Sequence, residues 1–168
     1  MLRKLITFII IYFSFILQCS VFNHISLGGI VPNILLIVTA SFGFMRGQNT
    51  GMCVGFISGL FIDVFFGSRF GFVTLLYIVI GYFNGFFKNI FYPEDIKLPM
   101  VLISGSELIF CLLYYSFKFL LRGRLHLGYY FLHIMLPEIV YTVLITLPLY
   151  GIIVWINERL EQFEKRNS

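Results

Sequence analysis

Three carboxylates stand inside apolar runs of this chain, Asp63, Glu107 and Glu138, and they pose its main chemical question. A charged acid at the centre of a membrane helix costs about 2.5 to 3.5 kcal/mol on insertion scales, and it normally faces protein or water. Such acids either hold helices in register or carry protons and ions. A relay needs neighbouring groups at matched depth, whereas these three fall on different apolar runs at unequal depths, with no intramembrane lysine or histidine to join them. Structural ion pairs and polar contacts between helices are therefore the expected role. His24, His126 and His133 gather toward one side, but a spacing of seven and a distant third residue do not make a metal-ligand pattern. Ser58, Ser104 and Ser106 lie among glycines without a base to activate them. Cys19, Cys53 and Cys111 are scattered through apolar sequence, which fits neither a disulfide framework nor a metal box. The residues thus point to no catalytic, cofactor or metal site.

The elements that position these side chains follow from composition. The chain has 168 residues, of which 59% are hydrophobic and 12% charged. The charged share is about half that of a soluble globular protein. So few charges cannot wet the exterior of a fold this apolar. A soluble enzyme, a disordered regulator and a secreted disulfide scaffold are excluded. The net charge of +4 comes from basic residues spread singly, which leaves no nucleic-acid footprint.

Apolar runs near the 20 residues that a bilayer-spanning helix needs follow one another. They predict six spans, at about 5–22, 30–45, 50–66, 70–87, 98–121 and 136–156, in one transmembrane domain over residues 1–156. Helices are the expected form because lipid offers the backbone no other partners. Arg3 and Lys4 precede the first span, but no small-residue cleavage site follows it, so it reads as a permanent span. With both termini inside, Arg3, Lys4, Arg46, Lys88, Lys97, Arg159, Lys165 and Arg166 lie on the inner side. Only Arg69, Lys118, Arg122 and Arg124 lie outside, so the positive-inside bias places both termini in the cytoplasm. Pro137 suits the first turn of the last helix, and Pro148 is expected to kink it. Trp155 marks the inner interface, and residues 157–168 form a charged cytoplasmic tail with Leu160 and Phe163 as a thin apolar edge. The tail reads either as a solvated continuation of the last helix or as a docking helix.

The most informative spacing is Gly47, Gly51, Gly55, Gly59, Asp63 and Gly67, one residue every four along the third span. Steps of four creep about 40° round a helix, so the ladder winds along one side. In lipid, where no hydrophobic force drives helices together, close approach at glycines is a main source of association. The ladder marks helix packing inside the bundle or a partner interface. Asp63 ends it near the outer interface, with Arg69, Arg122 and Arg124 as candidate ion-pair partners. Glu138 directly follows Pro137 and is expected to join that outer cluster or to accept bonds at its own helix start. Glu107 lies midway along the fifth span with no basic residue at its depth. It is expected to be protonated or bonded to Ser104 or Asn84.

These residues resemble the rod-shape-determining membrane protein family MreD of bacteria. The resemblance runs through Leu17-Gln18, Pro32-Asn33, Gly43, Gly47 and Gly51. It is strongest over Gly55-Phe56-Ile57-Ser58-Gly59-Leu60-Phe61-Ile62-Asp63, and Gly67, Gly71 and Gly81-Tyr82 complete it. Beyond about residue 98 only hydropathy agrees. The resemblance implies a compact six-helix bundle in the bacterial cytoplasmic membrane, similar to the substrate-binding components of energy-coupling-factor transporters. It also implies a non-enzymatic scaffold of the cell-elongation machinery, without cofactor. The implied partners are the single-span protein MreC and, through it, MreB, the glycosyltransferase RodA and its transpeptidase. A transporter component is the alternative. Against it, the first span is crowded with Phe8, Tyr12, Phe13 and Phe15, where such components carry small residues to dock their coupling subunits.

Overall fold

The computed structural model describes residues 1–26, 28–67, 71–92, 94–123 and 126–167. Six long helices build it: α1 (Leu2–Cys19), α2 (Ile34–Arg46), α3 (Gln48–Phe66), α4 (Phe72–Gly85), α5 (Lys97–Leu120) and α6 (Leu136–Asn167). Among the described residues, four stretches are long and apolar enough to cross a membrane, namely α1, α3, α5 and Gly128–Asn167. The molecule is a helical membrane bundle.

Helix α2 is its axis. Every residue from Ile34 to Met45 is buried, as expected of a helix that is apolar all round. At 13 residues it is only about 20 Å long, less than the roughly 30 Å of a hydrocarbon core. Neighbouring helices rather than lipid cover its sides. Helix α1 is arranged the other way. Thr7, Ile11, Ser14 and Phe15 face inward, while Leu5, Phe8, Ile9, Tyr12 and Phe13 are exposed, so its bulkier side chains are left for lipid.

The chain reverses between α2 and α3 within a single residue, Gly47, whose φ of +107° lies in the region that glycine alone enters cheaply. Helices α3 and α4 then form the closest pair in the molecule. A β-carbon on Gly55 would collide with the backbone carbonyl of Tyr77, and one on Gly59 with the Cα of Thr74. Gly51 and Gly81 oppose each other in the same way, and Gly85 meets the backbone of Gln48. Of the stepped glycines, Gly51, Gly55 and Gly59 therefore face α4 inside the bundle, with α4 supplying Gly81 and Gly85 of its own.

Helix α6 has 32 residues and runs without interruption through Pro148. It is preceded by a helical turn, Leu127–Tyr130, and a π-helical turn, Phe131–Met135, so the approach to it is already coiled. At its far end the charged tail stays helical to Asn167. Arg3 reaches from α1 to Glu164 at 3.0 Å and to Glu161 at 3.8 Å. These pairs are partly solvated and are worth at most about 1 kcal/mol each. Leu160 is buried while Phe163 is exposed, so only half of the expected apolar edge packs.

Candidate functional site

Asp63 sits at the last turn of α3 and is buried. Its Oδ2 accepts hydrogen bonds from the backbone N–H of Gly71 (3.1 Å), the N–H of Thr74 (2.9 Å) and the Thr74 hydroxyl (2.6 Å). Those amides belong to the start of α4, where helical geometry leaves N–H groups unpaired and the dipole favours negative charge. Asp63 thus closes the N-terminus of the next helix and ties α3 to α4 at the end of the glycine ladder. Its Oδ1 is buried without a hydrogen-bond partner beside a cavity of about 230 Å³ that Lys118 and Arg122 also line. Of the expected arginine partners, Arg122 shares that cavity but makes no ion pair with Asp63. Arg69 and Arg124 lie outside the described residues. Among the described residues, what holds Asp63 is the backbone at the start of α4 and Thr74, and no ion pair with Arg122 forms.

Glu107 and Glu138 do not behave as their sequence positions suggest. Glu138 turns inward from α6 instead of joining Asp63, and it meets Glu107 of α5 at Cys111. The Cys111 Sγ lies 3.7 Å from Oε1 of Glu107 and 3.8 Å from Oε2 of Glu138. The Tyr115 hydroxyl donates to the same Glu138 oxygen at 3.3 Å. Glu107 is fully buried, and its Oε2 has no hydrogen-bond partner. The expected bonds to Ser104 and Asn84 are absent, because Ser104 turns back to the Met100 carbonyl and Asn84 bonds to Ser106 and the Ile80 carbonyl. Unequal depth therefore does not separate these two acids. Their donor atoms and the Cys111 sulfur lie within 4.8 Å of one another, the one set among the described residues close enough to share a cation.

A second polar knot lies at residues that sequence patterns alone do not mark as a site. At the start of α2 the Asn33 N–H donates to Thr142 Oγ1 at 3.2 Å, and the Leu35 N–H to Gln18 Oε1 at 3.1 Å. The Tyr77 hydroxyl donates to Asn33 Oδ1. Side chains from α1 and α6 thus satisfy amides at the open end of α2, which lipid cannot do, while Tyr77 of α4 holds the Asn33 side chain. Gln18 and Pro32-Asn33 carried the family resemblance, and that was the one available signal. His24 and His133 each bond through Nδ1 to the carbonyl four residues before, those of Ser20 and Tyr129.

The family of rod shape-determining protein MreD matches residues 1–158. The chain belongs to the MreD family. The resemblance read from the glycine and aspartate spacing is thereby borne out. No characterised protein and no solved structure matches the chain. As an MreD it is a rod shape-determining, multi-pass membrane protein. The glycine contacts, the Asp63 cap, the knot at Asn33 and the Glu107–Glu138 pair all fall within the part matched to MreD.

Proposed function

We propose that this protein is a non-enzymatic scaffold of the bacterial cell-elongation machinery, needed for side-wall peptidoglycan synthesis. It acts by binding MreC and, through it, MreB, RodA and its transpeptidase. In this reading it lies in the cytoplasmic membrane with six spans and both termini in the cytoplasm. Residues 1–156 form the membrane domain, and residues 157–168 form a short charged tail. The observation that carries the proposal is the family match over residues 1–158. The packing supports it physically. Helices α2, α3 and α4 are held backbone to backbone at Gly51, Gly55 and Gly59, which suits a rigid body that fixes partners in place. The bulky side chains left exposed on α1 and α5 offer helix faces to such partners.

The inward cluster of Glu107, Cys111 and Glu138 favours one second reading, a substrate-binding component of a transporter. One experiment separates the two. Tagged protein is purified in gentle detergent, and everything that travels with it is identified by mass spectrometry. A single-span partner with wall-synthesis enzymes is the expected result. ATPase subunits or a bound small molecule would replace the scaffold reading with the transporter one.

A further inference from the structure

Where α1, the α2–α3 elbow and the tail of α6 meet, the bundle opens a crevice of about 660 Å³. Its flank is apolar, formed by Phe8, Val54 and Ile57, and its mouth carries Arg3, Lys4, Arg46 and Lys88 with Glu161 as the one acid. The charges do not cancel. Glu161 and Glu164 are engaged by Arg3, and no acid among the described residues lies within ion-pair distance of Lys4, Arg46 or Lys88.

Arg46 is the informative member. Its Nε donates to Asn157 Oδ1 at 2.8 Å and its Nη1 to Thr7 Oγ1 at 2.9 Å. Both acceptors are neutral, the guanidinium carbon lies 4.8 Å from the centre of the Phe42 ring, and Nη2 is shut off from solvent with no hydrogen-bond partner. A guanidinium held in a partly desolvated place by neutral groups is under-compensated, and an anion would complete it. Arg46 and Lys88 also line an adjoining cavity of about 380 Å³ with Gln48 and Asn49, the first residues of α3. That helix starts without a side-chain cap, so its dipole adds to the same positive field.

We infer that this crevice binds an anionic phospholipid, with its phosphodiester between Arg46 and Lys88 and an acyl chain along Phe8, Val54 and Ile57. The two halves of the site select for the two halves of such a molecule. The apolar flank opens beside the exposed apolar face of α1, the surface that acyl chains of a bilayer would cover. The cationic mouth sits at the end of the helices, at headgroup level, where basic residues attract anionic lipid. A free phosphate compound would use the mouth and leave the flank empty, and a zwitterionic lipid would fill the flank without neutralising the mouth.

The test uses the full chain in nanodiscs of phosphatidylcholine mixed with phosphatidylglycerol, followed by native mass spectrometry of the released protein. The expected result is a retained phosphatidylglycerol in preference to phosphatidylcholine. Lys88→Gln should lower that preference about tenfold, the effect of one lost charged contact, and Lys4→Gln should lower it less. Lys97→Gln, outside the crevice, should leave it unchanged. Arg46→Gln should abolish it, but Arg46 also holds Asn157 and Thr7, so the lysine variants keep the test valid if that protein fails to fold. Equal retention of both lipids, or a preference untouched by Lys88→Gln and Lys4→Gln, would overturn the inference. So would thermal stabilisation in detergent by inorganic phosphate with none by phosphatidylglycerol, which would assign the mouth to a soluble phosphate ligand.

Discussion

Gly51 of α3 and Gly81 of α4 touch through their backbones. A β-carbon on either would fall on the other's carbonyl group. Two helices so close cannot move apart locally, because the contacts at Gly55 and Gly59 fix them along the same seam. Gly55→Ala and Gly59→Ala should each lower stability by about 1 to 3 kcal/mol, the cost of overpacking. Gly105→Ala and Gly151→Ala, where a β-carbon meets nothing within 4 Å, should be neutral or slightly stabilising. Thermal unfolding of the four variants in one detergent checks the contrast. Equal behaviour of both pairs would refute the packing role.

The Asp63 cap makes a separate prediction. Asp63→Ala removes the acceptor for Gly71, Thr74 N–H and the Thr74 hydroxyl and should cost about 0.5 to 2 kcal/mol, the range for lost caps. Asp63→Asn keeps an acceptor oxygen and should cost less. Arg122→Gln should change stability little, since Arg122 forms no ion pair with Asp63. A larger loss for Arg122→Gln than for Asp63→Ala would restore the ion-pair account.

The knot at Asn33 should be strongly coupled. Tyr77→Phe strips Asn33 Oδ1 of its donor in a buried place, at a cost of about 1 to 3 kcal/mol. Once Asn33→Leu has been made, the same tyrosine change should cost much less. A double-mutant cycle measures the difference, and strict additivity would show that the bond contributes nothing.

Glu107 has no basic residue to lose. Glu107→Gln keeps the shape and the polar atoms of the side chain, so it should fold as well as the parent or better. Glu107→Leu should be tolerated less, because Cys111 and Glu138 would lose a polar neighbour. Yield and monodispersity on size-exclusion chromatography report both. Collapse of Glu107→Gln would mean that the carboxyl itself is required.

Topology is testable on a cysteine-free background. A cysteine placed at Asn167 should resist membrane-impermeant maleimide in intact cells and react after the membrane is opened. Reaction from outside would overturn the placement of both termini in the cytoplasm.

Composition by itself determined that the chain is a helical membrane bundle. With 59% hydrophobic residues and 12% charged, the chain belongs in lipid, where helices or a closed barrel satisfy the backbone, and its unbroken apolar runs, without the alternation of barrel strands, select helices. The four-residue glycine spacing marked α3 as a close-packing helix, since period and side-chain size are local properties. Which surface those glycines meet is not local, and only the tertiary structure decided that they face Gly81, Tyr77 and Thr74 of α4. The same holds for the acids. Sequence placed Asp63 at a helix end, and the packing of α3 against the start of α4 gave it the amides of Gly71 and Thr74 to cap. Depth along the chain set Glu107 and Glu138 apart, whereas the packing of α6 against α5 brought them to one cysteine. Hydropathy reports how deep a residue lies, and it carries no information about the angle round the helix or the tilt between helices. Those two quantities decide which polar groups meet.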